Sequence, residues 1–216
     1  PAQRPLIGIA WMLSHCLLIS MVAALIRLVE AQINIFTIML WQNLVSFIVI
    51  ALFHLLKGSY LELKSELIKI HFARASLGVL AFASYFYAFT LIPLTDARAI
   101  ALTGPLVSSL FAVIFLGERI GFKRSLALLA GLFGGLVIIK PGGNFEMASL
   151  LVVLSVILWS LMDMLIKIVS QKENMTKQFF YYSAFSLLFT LPLAYFYGQI
   201  IVTGQAFFWL ICISLI

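Results

Sequence analysis

The chain has 216 residues, of which 63% are hydrophobic and only 10% are charged, and its formal net charge is +6. Soluble domains are about 45–50% apolar and about 25% charged, and a soluble core of this length could not hide so much apolar surface. The composition therefore excludes an ordinary soluble domain and predicts an all-α, polytopic membrane protein that is surrounded by lipid.

Runs of about 20 apolar residues predict seven membrane-spanning helices and the start of an eighth. In chain order the seven runs cover residues 6–29, 35–56, 72–92, 95–116, 124–140, 148–170 and 178–197. The eighth begins near residue 205 and is cut at Ile216. Because the first residue is Pro1 rather than Met, we expect a fragment of a longer chain.

The positive charges predict the orientation of these helices. If the N-terminus is inside, eleven of the fourteen Lys and Arg residues fall on the inner side, and Arg27, Arg98 and Lys140 fall on the outer side. The positive-inside rule requires such a bias. The net charge is therefore a topology signal rather than a nucleic-acid signal, and the N-terminus is predicted to be cytoplasmic.

A weak internal repeat relates the first five spans to the sixth and those that follow. At an offset of 140, ALIRLV (24–29) aligns with MLIKIV (164–169), and Ser20 aligns with Ser160. Since five spans is an odd number, a second copy must enter the membrane from the opposite side. Inverted repeats with a midplane site between them are typical of secondary transporters.

Residues 91–142 carry a more specific pattern. Pro93 opens the fourth span, Pro105 lies within it, LGER (116–119) closes it, and a Gly-rich span follows. This pattern resembles the EamA domain of the drug/metabolite transporter superfamily. The resemblance implies ten spans in two inverted five-span units, of which about seven or eight are present here. It also implies carriage of small metabolites with both termini cytoplasmic.

The resemblance divides the chain into a complete first EamA repeat, residues 1–142, and a truncated second repeat, residues 143–216. Within the second repeat, MDMLIK (162–167), FYYSA (180–184) and LP (191–192) resemble bacterial S-adenosylmethionine uptake carriers. The function implied is secondary transport across the bacterial inner membrane by alternating access. The substrate would be S-adenosylmethionine or a related cationic or aromatic metabolite.

Two alternatives to uptake stay open. One is export of a metabolite or drug by a carrier of the same family. The other, from a different class, is an intramembrane lipid-modifying enzyme. The sequence contains neither a P-loop nor an HExxH motif, so we expect no catalytic residues, no metal and no cofactor.

Asp163 is the leading candidate for a substrate-binding or coupling residue. A charge at the centre of a span costs at least about 2.5–3.5 kcal/mol, so this carboxylate needs a wet cavity or a partner. Trp159 and Ser160 lie one turn earlier on the same helix face. The alternative role for Asp163 is a structural pair with Lys167, one turn later.

Further polar side chains within spans are candidates for the same site. They are Trp11 and His15 in the first span, Tyr85 in the third and Thr103 beside Pro105 in the fourth. Their alternative role is ordinary helix packing. Glu118 and Arg119, in the LGER motif, are predicted to be a structural loop clamp rather than a substrate site.

The expected partners are a small-molecule substrate and the lipid bilayer, with no nucleic acid. Gly131 and Gly135 form a GxxxG motif that allows close helix packing. This motif packs the fifth span either inside its own unit or against another subunit, so a homodimer stays open.

Overall fold

The computed structural model describes residues 5–29, 33–58, 63–89, 91–117, 121–139, 148–198, 200, 202 and 204–215. The regular structure of these residues consists of the following α-helices: α1 (Pro5–Val29), α2 (Ile35–Leu56), α3 (Ile68–Phe89), α4 (Leu94–Ala101), α5 (Gly104–Leu116), α6 (Phe122–Ile139), α7 (Ala148–Ser170), α8 (Met175–Tyr197) and α9 (Gln205–Leu215). The predicted all-α class is confirmed, and the helices follow the predicted apolar runs within a few residues.

The protein is a polytopic helical membrane protein. Among the described residues, four helical stretches are long and apolar enough to cross a membrane: Ile35–Leu56, Asp96–Phe115, Ala148–Ser170 and Met175–Tyr197. The other predicted spans correspond to α1, α3, α6 and α9, which are helical as expected. That these four also cross the membrane, and that the two repeats are inverted, stay predictions.

The fourth predicted span is interrupted in the structure. It was expected as one run over residues 95–116, but α4 ends at Ala101 and α5 begins at Gly104. Pro105 explains the break, because proline has no N–H and its ring clashes with the carbonyl four residues earlier. The Thr103 hydroxyl donates a hydrogen bond to the Ile100 carbonyl at 2.7 Å, which satisfies one of the carbonyls at the end of α4.

The chain forms two compact units. The terminal unit contains residues 1–60 and 187–216, and the central unit contains residues 61–186. The boundary between them falls inside α8. These units do not follow the predicted repeat boundary between residues 142 and 143, which stays a prediction.

In the terminal unit, α9 packs against α1 and α2. The core there consists of the buried apolar side chains Val29, Ile33, Ile38, Leu210 and Ile213. The Trp41 indole N–H donates to the Ile200 carbonyl at 3.3 Å, and the Trp41 ring meets Phe207 edge-on at 5.2 Å. This contact ties α2 to the segment that leads into α9.

The central unit is organised around α7, which packs against α3, α5 and α4. Its core joins α3, α4 and α7 through the buried side chains Tyr85, Ala88, Ile92, Ala97, Ile100, Ala148 and Val152. The predicted GxxxG residue Gly131 of α6 faces Leu106 of α5, with a Cβ position 3.0 Å from a Leu106 methyl carbon. This glycine therefore packs inside its own unit.

Gly78 marks the closest approach of α3 to its neighbours in the central unit. A Cβ atom at this position would lie 2.6 Å from the Tyr182 hydroxyl oxygen and 3.0 Å from the Met162 sulfur. Both distances are tighter than ordinary van der Waals contact, so the side chains of Tyr182 and Met162 would have to shift to make room for a side chain here.

We therefore expect Gly78→Ala to destabilise the protein by about 1–3 kcal/mol, the usual cost of overpacking. The measurement is the thermal unfolding midpoint of the full-length protein in detergent. Gly134→Ala is the matched control, because it also lies inside a helix and no described atom lies within 4 Å of its Cβ position. Equal midpoints for the two variants would contradict the close approach at Gly78.

Candidate substrate site

Three polar side chains meet where α5 packs on α7. The Ser108 hydroxyl oxygen lies 3.1 Å from the Ser160 hydroxyl oxygen and 3.3 Å from Oδ2 of Asp163. Ser160 is only 1% exposed, whereas Asp163 is exposed. Since each hydroxyl carries one proton, Ser160 can donate to Ser108 while Ser108 donates to Asp163.

Aromatic rings meet on the α3 side of the same helix. The Trp159 ring lies 5.0 Å from Tyr85 and 5.7 Å from Phe82, both edge-on, and Phe82 stacks on Phe86 at 5.1 Å. Edge-on and offset-stacked geometries are the favourable ones for aromatic pairs. The Arg98 guanidinium of α4 lies 6.0 Å from the centre of the Tyr85 ring.

The helical repeat of α7 brings the polar and aromatic groups together. Trp159 and Asp163 are four residues apart, so they lie one above the other on one helix face. We call Tyr85, Ser108, Trp159, Ser160 and Asp163 the α7 site. An exposed carboxylate can accept hydrogen bonds or pair with a cation, and the rings beside it can stack on a flat ligand.

The structure places four of the predicted site residues in two contacts along α7: Trp159 packs against Tyr85 of α3, and Ser160 and Asp163 each lie within hydrogen-bonding distance of Ser108 of α5. Thr103 lies at the break between α4 and α5, where its hydroxyl bonds to the backbone of its own segment. Lys167 is exposed on α7, one turn beyond Asp163. The binding or coupling roles of the five predicted site residues named here and the predicted structural role of Lys167 stay predictions.

The remaining predicted residues lie in the terminal unit or outside the described residues. Trp11 belongs to the terminal unit and is 74% exposed on α1. The side chain of His15 and the residues Glu118 and Arg119 lie outside the described residues, so their predicted roles stay predictions.

Sequence analysis missed Ser108. A single serine in an apolar helix is common, and no spacing within α5 relates it to Asp163, which lies 55 residues further along the chain. The sequence did offer one indication, the Asp163 carboxylate itself, because a charge within a span predicts a polar partner on a neighbouring helix.

Sequence analysis also missed a second polar cluster, at the end of the central unit where α3 begins and α7 ends. The Glu173 carboxylate accepts a hydrogen bond from the Ser65 hydroxyl at 2.6 Å and contacts His71 Nε2 at 2.8 Å. Nearby, Arg74 donates to the Gln178 side chain at 3.2 Å. The sequence prediction had used Arg74 only as an inner-side charge.

Glu173 lies in the loop between α7 and α8, outside the spans. Burial acts to raise the pKa of its carboxyl group. The hydrogen bonds from Ser65 and His71, together with the electrostatic interactions with His71 and Lys177, act in the opposite direction, and the net result is a pKa below the usual value. Glu173 is therefore ionised at neutral pH, which fixes its role as a hydrogen-bond acceptor.

Comparison with known proteins identifies the family. The sequence matches the EamA-like transporter family over residues 6–140. The chain belongs to this family. The resemblance carried by Pro93, Pro105 and the LGER motif is thereby confirmed, and the family is one of membrane transporters.

Individual relatives differ in what their names say they carry. The chain is 26% identical to a riboflavin transporter of Vibrio cholerae over 88% of its length and 66% of the relative's. It is 28% identical to an S-adenosylmethionine uptake transporter of Rickettsia conorii, over 88% of its length and 64% of the relative's. It is 27% identical to a pseudopaline exporter of Pseudomonas aeruginosa, over 81% of its length and 61% of the relative's. The chain therefore spans just under two thirds of the length of these relatives.

The hydrogen bond between Ser108 and Asp163 can be tested with two adjacent serines. We expect Ser108→Ala to destabilise the protein by about 1 kcal/mol or more, because it removes a donor to a charged group. Ser109→Ala is the matched control, since the Ser109 hydroxyl bonds only to the Pro105 carbonyl of its own helix among the contacts described. The measurement is again the thermal midpoint in detergent, and identical shifts for the two variants would contradict a special role for Ser108.

Proposed function

We propose that this chain is the larger part of a secondary transporter that carries a small cationic or aromatic metabolite across the bacterial inner membrane. The exposed Asp163 carboxylate is the observation that carries this proposal. It lies within an apolar helix, one turn from Trp159 and within hydrogen-bonding distance of Ser108. A carboxylate facing lipid would be costly, so its exposed side faces a water-filled path or the rest of the carrier.

The α7 site suits a ligand that has both a flat ring and a positive charge. Trp159 would contact the ring and is held in place by the buried Tyr85. Asp163 would pair with the charge, and Ser108 and Ser160 would orient the carboxylate. S-adenosylmethionine has an adenine ring and a cationic sulfonium centre, so it fits this description. Riboflavin has a flat ring without a positive charge, so it would use the aromatic groups alone.

Similarity to an S-adenosylmethionine uptake transporter and a riboflavin transporter supports a ring-bearing substrate. Uptake is the proposed direction. Export is the second candidate, and the similarity to a pseudopaline exporter over 81% of this chain favours it. We assign the protein no catalytic role, because members of its family are transporters.

The proposed mechanism is alternating access, in which two inverted five-span units rock around a site near the membrane midplane. The two-residue break between α4 and α5 lies just before Pro105, within a stretch, Asp96–Phe115, that is long enough to cross a membrane. Such proline breaks are tolerated in membrane-spanning helices. The bias of positive charges supports a cytoplasmic N-terminus. Further spans in the second unit would complete the path, and a homodimer is a further proposal for the assembly.

The test is uptake of labelled S-adenosylmethionine and, separately, of labelled riboflavin by cells that make the full-length protein. We expect saturable uptake of the first compound and a loss of at least about tenfold in Asp163→Asn, which keeps the shape but removes the charge. Asp96→Asn is the control at equal expression, because Asp96 is exposed in the first turn of α4.

Each outcome decides between stated alternatives. Uptake of riboflavin that survives Asp163→Asn but falls in Trp159→Ala would favour an uncharged, ring-bearing substrate. Saturable uptake that is equal in the parent and Asp163→Asn would remove the carboxylate from the binding site. Loss of preloaded label from the cells, without uptake, would favour the exporter.

A further inference from the structure

Ser65, His71 and Glu173 form a buried polar cluster that joins three separate pieces of the chain. Ser65 precedes α3, His71 lies in the first turn of α3, and Glu173 lies between α7 and α8. The side chains of His71 and Glu173 are 0% and 6% exposed. The cluster therefore holds the two loops at this end of the central unit together.

The hydrogen bonds of this cluster define the state of the His71 ring. An ionised carboxylate only accepts hydrogen bonds, so Nε2 of His71 must carry the proton that points at Glu173. The other ring nitrogen, Nδ1, is buried and has no hydrogen-bond partner in the portion of the chain that the structure describes. The closed cluster thus accommodates the neutral ring.

A second proton on this ring would be costly while the cluster stays closed. It would create a buried N–H with no acceptor among the described residues, and a buried charge. The charged groups that act on the ring are Glu173 from the loop, Arg74 from α3 and Lys177 from α8, while Tyr181 of α8 stacks on it at 4.9 Å. Burial opposes a positive charge on the ring most strongly, Arg74 and Lys177 oppose it further, and the nearby Glu173 carboxylate favours it.

The position of the cluster relative to the α7 site matters for transport. His71 and Tyr85 lie on the same helix, fourteen residues apart, which corresponds to about 21 Å along its axis. Gly78 lies between His71 and Tyr85 on α3. Met162, the residue before Asp163 on α7, lies close to α3 at the level of Gly78. The cluster therefore lies between the α7 site and the end of the unit, where the sequence predicts the cytoplasm.

We infer that the Ser65–His71–Glu173 cluster is a proton-binding gate, in which uptake of one proton by His71 opens the cytoplasmic end of the central unit. Opening gives Nδ1 a water partner and moves the charged ring out of the apolar surroundings. This inference rests on the proposed carrier function, because it adds a proton as the coupling ligand. The movement itself is independent of which metabolite is carried.

The experiment measures the distance between the two loops in the full-length protein as a function of pH. Nitroxide labels are attached at Lys64→Cys and Lys172→Cys, two exposed positions beside the cluster, with all other cysteines replaced. Electron double resonance then gives the closed and open populations between about pH 8 and about pH 5.5, the usual range of histidine titration. We expect a longer-distance population that grows with acid, by no more than about tenfold per pH unit for one linked proton.

Three variants identify the titrating group. His71→Gln keeps an N–H donor for Glu173 but cannot be protonated, so its distances should not depend on pH. His54→Gln replaces another buried histidine, in the terminal unit, and should keep the full response. Arg74→Gln removes one of the cations that act on the ring, so a proton is tolerated better in the closed state and the acid-driven gain should be smaller.

Two results would overturn the inference: distances in the parent protein that do not change with pH, and a pH response that persists undiminished in His71→Gln. Because the labels report distances without substrate, these results are separate from a failure of the uptake assay. A pH response lost in His71→Gln and kept in His54→Gln would support the gate even if the carried metabolite proved to be a different one.

Discussion

Polar groups inside a membrane must find their partners within the protein, because lipid offers none. This constraint accounts for most of the specific contacts in the central unit. Within the spans, the Asp163 carboxylate has Ser108, and the Ile100 carbonyl near the end of α4 accepts a hydrogen bond from Thr103. Outside the spans, the buried Glu173 carboxylate has Ser65 and His71. Between these contacts the helices pack through apolar side chains, which provide little specificity in a surrounding that is equally apolar.

Helix α7 links the two polar regions of the central unit. Its middle carries Trp159, Ser160 and Asp163, and its end leads directly into Glu173. Because α3 packs along α7 and carries both Tyr85 and His71, a displacement of one helix against the other would change both regions together. Occupation of the proposed site and opening of the proposed gate can therefore be coupled directly through α3 and α7, without other helices taking part.

The sequence was a good guide to the helices and to part of the site. Apolar runs predicted the helix bounds well, because the thickness of the membrane imposes a length on every span. The apolar runs did not predict the interruption between α4 and α5. Pro105 was noticed, but hydropathy measures side-chain polarity and carries no information about the backbone N–H that proline lacks. Trp159, Ser160 and Asp163 were found together because all three lie on one helix, where spacing alone predicts a shared face.

Contacts between helices were much harder to predict. Tyr85 was a candidate from its residue type, but its contact with Trp159 depends on how α3 and α7 pack. Ser108 and Glu173 were missed because their partners lie 55 and 102 residues away along the chain. Trp11 was selected from its residue type and position in a span, its side chain is mostly exposed on α1, and its role in the site stays a prediction.

The sequence by itself determined the membrane class, the helix lengths, the orientation expected from the charges and the family. These properties follow from short stretches of sequence, because each segment partitions between lipid and water according to its own hydropathy and charge. Only the tertiary structure decided that Ser108 donates a hydrogen bond to Asp163, and that His71 at the start of α3 contacts Glu173 after α7. Such pairings depend on which helices lie side by side and at what height, and several packings of apolar helices would satisfy the same hydropathy.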